Sequence, residues 1–271
     1  MSYIKTANID EVLKIEMQST VFGIPSKILR VSAYYIDGLL VDTGFQKIDK
    51  KLKELFSDRP LHTIVNTHNH EDHFGGNHLL TSVYRAKAFA HRDAMERIRT
   101  APREFPVSNG LCWGLPKPSP ISEIGKIVET DKFKIDVIET FGHSRGHISL
   151  YIRKRGWIIG GDIFLTKRPR FLRISESVAG TIDSLEKLIK LNPEKFFCAS
   201  GKVLENPMAD IKAKIDYLND CREKILAFHK QGVQPEEIRD RVLGKEESFA
   251  KISRGYFSKI NFVNDILKDS I

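Results

Sequence analysis

Two hydrophobic periods alternate along this chain. Ile28–Ile36 (ILRVSAYYI) is a run of β-branched and aromatic residues closed by the turn dipeptide Asp37-Gly38. Leu39-Leu40-Val41 opens a second strand, which ends at Asp42-Thr43-Gly44. Over 46–57 the period lengthens: Ile48, Leu52, Leu55 and Phe56 share one helical face. His62–Asn66 reads as a buried strand that runs straight into Thr67-His68-Asn69-His70-Glu71-Asp72-His73. A short helix is expected from near Gly76, then a strand over Ala86–Ala90 and a helix over Asp93–Arg99. Further strands are expected at Phe133–Thr140, His147–Ile152, Trp157–Gly160 and Lys195–Ala199, with a helix over 181–191 between the last two. From Met208 on, every periodic stretch is helical: 208–230, 235–243 and 255–268.

This alternation fits an α/β or α+β class, with one domain over 1–205 and a helical extension over 206–271. Residues 100–126 interrupt it with Pro102, Pro106, Pro116, Pro118, Pro120, Gly110, Gly114 and Gly125. Such a stretch is either a lid, with Phe105, Leu111, Trp113 and Leu115 covering a pocket, or a packed surface loop.

Composition narrows the class further. The chain has 271 residues, 41% hydrophobic and 29% charged, which excludes a collagen, a disordered tail and a disulfide scaffold. No run of about 18 apolar residues exists, so no membrane span is expected. The N-terminal stretch alternates charged and apolar residues with no apolar core ahead of a cleavage site, so no secretory signal is expected. Cys112, Cys198 and Cys221 are odd in number and far apart, which points to a reducing, cytoplasmic setting.

The net charge of +8 matters by its location. Residues 206–271 carry 12 Lys/Arg and 11 Asp/Glu, whereas 153–173 carry seven bases against Asp162 alone. That run reads either as a solvated hairpin edge or as a rim for an anionic substrate. A nucleic-acid footprint would interleave aromatics, and only Phe164 and Phe171 do so here, which disfavours nucleic acid as a partner.

The chemistry concentrates in His68, His70 and His73 with Asp72 beside the last. Imidazole and carboxylate are ligands that zinc and iron accept, and several must converge at about 2 Å from the ion. In an extended loop His68, His70 and Asp72 share one parity, and a tight turn brings His73 into reach. Four potential ligands in six positions point to a metal site. His62, His78, His91 and His229 match no motif and are taken as structural.

Ordered motifs then carry a resemblance to the metallo-β-lactamase-fold superfamily, which includes glyoxalase II, over about residues 28–205. His68-Asn69-His70-Glu71-Asp72-His73 resembles its HxHxDH signature. Thr140-Phe141-Gly142-His143-Ser144-Arg145-Gly146-His147 resembles its TPGHTxGH stretch, with Phe141 in place of proline. Gly160-Gly161-Asp162 resembles the strand-end aspartate that bridges two metals, and Leu40–Gly44 the early aspartate motif. Gly255–Asn261 is similar to helical tails of hydrolase-like members.

The resemblance implies an α+β fold, a four-layer αββα sandwich with a helical C-terminal extension. It implies that His68, His70 and His143 hold a first metal, that Asp72 and His73 hold a second, and that Asp162 bridges. Asp42 and His147 would orient these ligands; on the rim reading of the basic run, and not from the resemblance, Lys167, Arg168 and Arg170 would grip an anionic substrate. The implied activity is metal-dependent hydrolysis of a small-molecule thioester, ester or lactone, with Asp72 as the catalytic carboxylate and Zn2+ (one or two ions) as cofactor. One departure bears on this: Ser200 stands where the superfamily places its last histidine. Cys198 shares the parity of Ser200, and a thiolate would bind zinc, but its place deeper in the strand favours a core cysteine. The alternatives are therefore a dinuclear site, a single zinc, a mono-iron oxygenase of persulfide dioxygenase type, or a degenerate binding protein. A homo-oligomer is compatible with each.

Overall fold

The structure is a computed structural model that describes residues 2–21, 24–102 and 107–268. Two compact units divide them. The first takes in the described residues up to Glu139, with Arg145–Asp162 and Glu194–Glu205. The second takes in Thr140–Ser144, Ile163–Pro193 and the described residues from Asn206 on.

Two sheets build the first unit. One orders the strands Tyr3–Ile9, Val12–Val21, Ile24–Ile36, Leu39–Val41, Thr63–Val65, Lys87–Ala90 and Ser122–Glu123. Its first four strands are antiparallel and the rest join in parallel. The other orders Val203–Glu205, Lys195–Phe197, Trp157–Ile159, Ile148–Ile152, Lys134–Glu139 and Ile127–Glu129. Strand parity assigns the side chains to layers. Leu39, Val41 and Val65 share a core with Ile135, Ile148, Leu150, Trp157 and Phe197 of the other sheet. Leu40 and Ile64 turn the opposite way, onto Phe45, Ile48, Leu52, Phe56 and Leu80. Of these, Leu52 and Leu80 belong to the helices Asp49–Leu55 and Asn77–Tyr84.

Several regions differ from the sequence expectation, among them 255–268, where the strand Phe257–Ser258 precedes a helix that starts at Lys259. Strands Tyr3–Ile9 and Val12–Val21 lie where no element was predicted. Val12, Ile15 and Met17 are buried there, but Lys14 and Glu16 interleave with them, and the turn uses Asp10 at φ 50° rather than glycine. Within 100–126 the chain forms the helix Val107–Trp113 and the short strand Ser122–Glu123. Trp113 packs on Phe45 with ring centroids 5.0 Å apart, whereas Leu111 and Leu115 are exposed. Phe105 and Pro106 lie outside the described residues.

The second unit is helical, with Val178–Ile189, Met208–Lys230, Pro235–Val242, Ser248–Ile252 and Lys259–Lys268. Its two-stranded sheet joins Leu172–Arg173 to Phe257–Ser258. Ser177 caps the first of these helices, accepting from the backbone N–H of Gly180 at 3.2 Å. Ile182, Leu185, Ile211, Leu218, Ile225, Phe262 and Val263 are buried. Among the described residues, no helix is long and apolar enough to cross a membrane.

Candidate metal centre

The first unit delivers its polar side chains where its strands end. Leu39–Val41 and Thr63–Val65 run parallel, with Val41 opposite Val65. Asp42 and Asn66-Thr67 therefore emerge side by side, and the Asp42 N–H donates to Val65 O at 2.9 Å. Asp42 adopts φ 61°, and its buried carboxylate gathers three donors. These are Thr67 N–H and Thr67 Oγ1–H, at 2.8 Å each, and His73 Nδ1 at 2.8 Å. The His73 carbonyl is itself held by Thr43 N–H at 2.7 Å and Asn66 Nδ2 at 3.1 Å. Asn77 Nδ2 donates to Asn66 Oδ1 at 2.6 Å. Thr67 Oγ1 lies 3.0 Å from His68 Nδ1. The loop is thus fixed on both sides by buried hydrogen bonds before any ion is considered.

At Glu71 the loop becomes the one-turn helix Glu71–Phe74. The extended parity ends there, so Asp72 leaves the row of His68 and His70. His73 Nε2 then lies 3.4 Å from Asp162 Oδ1 and 4.0 Å from Asp72 Oδ2. Asp162 follows the strand Trp157–Ile159 through Gly160-Gly161. Its backbone N–H donates to His147 Nε2 at 3.1 Å. Gly161 has φ 54°, and a Cβ there would meet His147 Nε2 at 2.7 Å and Thr67 Cβ at 2.9 Å. Only glycine permits this approach.

The structure brings together His68, His70, His143 and Asp162, each offering one ligand atom within 4.8 Å of the others. Donors at about 2.0–2.2 Å from a common ion lie at most about 4.4 Å apart. The arrangement is within a few tenths of an ångström of that, and three imidazoles with a carboxylate suit a divalent cation. The pKa of the His73 ring is pushed up to about 10: burial works against its charge, and the carboxylates of Asp162, Asp42 and Asp72 outweigh it. Three carboxylates around one imidazole make this end of the unit strongly attractive to a cation.

The remaining candidates sit differently. Ser200 is exposed in a tight turn where Gly201 N–H donates to Cys198 O at 2.9 Å and Cys198 N–H to Lys202 O at 2.9 Å. Cys198 is fully buried, its carbonyl accepting from Tyr34 OH at 2.5 Å. In the second unit, Lys167 pairs with Asp210, and Arg170 lies 3.3 Å from Glu247, while Arg168 is exposed. Arg153 and Arg155 pair with Asp136 and Glu11. Arg153, Arg155, Lys167 and Arg170 of the run thus have carboxylate partners. His91 caps the helix Arg92–Thr100, and His78 Nδ1 lies 2.8 Å from Pro118 O.

Sequence reasoning missed Glu176, whose Oε1 lies 2.7 Å from His143 Nδ1, and the Asn66–Asn77 pair behind His73. Neither has a spacing signal, because both depend on elements meeting in space.

Two mixed sheets with C-terminal helices, and a group of imidazoles with a carboxylate at strand ends, define an α+β fold of metallo-β-lactamase type. The profile described as Metallo-beta-lactamase superfamily matches residues 28–200, and the chain belongs to that superfamily. It is 25% identical over 204 residues to the "Beta-lactamase-like protein 2 homolog" of Drosophila melanogaster, covering 71% of this chain and 64% of that one. It is 30% identical over 160 residues to a "Hydroxyacylglutathione hydrolase" of a Synechococcus strain, covering 58% of this chain and 55% of that one. The matches therefore span less than two thirds of either relative. Among solved structures, a metallo-beta-lactamase family protein from Thermus thermophilus superposes with TM-score 0.61 at 18% identity, over 98% of this chain and 90% of that one.

Proposed function

We propose that this protein is a metal-dependent hydrolase acting on a small thioester or ester that carries an anionic group. The observation that carries the reading is the convergence of His68, His70, His143 and Asp162. The relative named a hydroxyacylglutathione hydrolase supports a thioester as the bond cleaved. A zinc ion held by the four residues would supply Lewis acidity and a nucleophilic water at neutral pH.

The chain's own groups do the rest. His147 accepts the N–H of Asp162 and so orients the backbone that carries this carboxylate. Asp42 accepts from His73 Nδ1, which leaves Nε2 facing Asp72 and Asp162. Asp72, 14% exposed at its side chain, takes the proton of the attacking water and delivers it to the leaving group. With serine at 200, a second ion would have only Asp72, His73 and the shared Asp162, so the reading is one tightly held zinc and a second position of low affinity. Arg168 is the base of the 167–170 trio that carries no ion pair in its unit among the described residues, and in this reading it meets the substrate's anion.

Elemental analysis of protein purified without added metal should find about one zinc per chain. Asp72→Ala should retain that zinc while losing thioester hydrolysis by 100-fold or more, on the order of general acid–base contributions. Full activity in Asp72→Ala, or iron with sulfite formation from glutathione persulfide, would overturn the reading.

A further inference from the structure

The segment Thr140–Ser144, with His143, and the residue Glu176 both belong to the second unit. Glu176 Oε1 lies 2.7 Å from His143 Nδ1, with side chains 14% and 7% exposed respectively. The other carboxylate oxygen, Oε2, accepts from the backbone N–H of Arg173 at 2.9 Å, and Glu176 N–H donates back to Arg173 O at 3.1 Å. The carboxylate therefore has little freedom to leave the imidazole.

The backbones are clamped as well. Ser177 N–H donates to Gly142 O at 2.7 Å, and Ser184 Oγ–H to Phe141 O at 2.5 Å. Gly142 has φ 129°, and a Cβ there would lie 2.4 Å from Thr181 N. Only glycine lets the loop lie this close to the helix Val178–Ile189. Behind this segment the buried Lys214 of the helix Met208–Lys230 donates to Ile163 O at 2.8 Å.

We propose that Glu176 is a positioning residue for the metal centre. It accepts the Nδ1–H of His143, fixes that tautomer, and leaves the Nε2 lone pair as the ligand. The inference rests on the reading of His143 as a cation ligand, and it adds a role for the turn Arg173–Ser177 that no motif announces. A carboxylate behind a ligating imidazole fixes its orientation and raises its basicity, and loss of such a partner typically weakens metal affinity about 10–100-fold.

The test uses the full chain with labelled histidine, stripped with a chelator. Long-range 1H–15N correlation spectra, assigned with His143→Gln, should show His143 as the Nδ1–H tautomer in the wild type. In Glu176→Ala the Nε2–H tautomer should gain population, a readout that a merely structural role would not move. Zinc affinity, measured by competition with a chromogenic chelator, should fall about 10–100-fold in Glu176→Ala and less in Glu176→Gln, which keeps an acceptor without the charge. If Glu176→Ala fails to fold, Glu176→Gln decides, by a several-fold loss of affinity. An unchanged tautomer with unchanged zinc affinity would overturn the proposal. A wild type that binds no zinc would instead overturn the hydrolase reading, and the His143 tautomer would still decide the pairing with Glu176.

Discussion

Two loops of the first unit leave strand ends and meet different fates. Asn66–His73 follows Thr63–Val65, and Cys198–Lys202 follows Lys195–Phe197. The first is buried almost throughout and tied by the side chains of Asp42, Thr43, Asn66 and Asn77. The second closes a turn on its own backbone, is tied through Cys198 O to Tyr34 and through the Ala199 backbone to Ser32 and Gly161, and exposes Ser200. An imidazole becomes a dependable ligand when buried partners fix its ring. The first loop gives its imidazoles that support, whereas in the second Ser200 itself stands exposed between residues whose backbone is tied.

The strongest way to break this contrast is to remove its centre. Asp42→Ala withdraws the acceptor of Thr67 and His73 from a fully enclosed site. Breaking a buried, hydrogen-bonded charge arrangement by deleting one partner costs about 3–5 kcal/mol. Urea denaturation of chelator-treated protein should show that loss. A loss below about 1 kcal/mol would mean that the loop holds its shape without Asp42.

Next in size is a change of stoichiometry. Ser200→His restores an imidazole to the exposed turn, and bound zinc should rise from one toward two per chain in elemental analysis after dialysis against zinc. The substitution is on the surface, so stability should move by no more than about 0.5 kcal/mol. Zinc remaining at one per chain would show that the serine at 200 is not what keeps the second position at low affinity.

How much of this was legible in the chain follows the same division. Imidazoles two and five residues apart announce themselves, so His68, His70 and His73 were readable by spacing, whereas Asp162 and His143 were singled out only by the resemblance of their motifs to the superfamily's. The helix over 208–230 was readable because its period is uninterrupted, and the structure gives Met208–Lys230. The helix predicted over 181–191 instead begins at Val178, because Ser177 caps it by a side-chain bond that periodicity does not encode. Glu176 lies 33 positions beyond His143, and Asn77 lies beyond a helical turn from Asn66. Such partners are set by packing, so no local pattern betrays them. The parity argument for Asp72 failed for a related reason: Glu71 already begins a helix, and a period of two no longer applies.

A smaller effect sharpens the contrast within one stretch of chain. Asp42 and Asp49 both lie against the core of the first unit, but Asp49 Oδ1 is buried without a hydrogen-bond partner. Burial pushes the Asp49 carboxyl from 3.8 up to about 6, against the opposing pull of Lys117, Gln46 and His78. The folded chain therefore holds a proton that the unfolded chain has released, and stability falls as pH rises from about 4 through about 6. Asp49→Asn removes the titration. At pH 4 it should match the wild type in thermal or urea unfolding. At pH 8 it should be the more stable by on the order of 1 kcal/mol, a value reduced from full linkage because the side chain is only partly buried and water screens it. Equal stability at both pH values would place Asp49 in a solvated position. A variant less stable at pH 8 would reverse the assignment, making the Asp49 charge, like that of Asp42, one that the surrounding groups support.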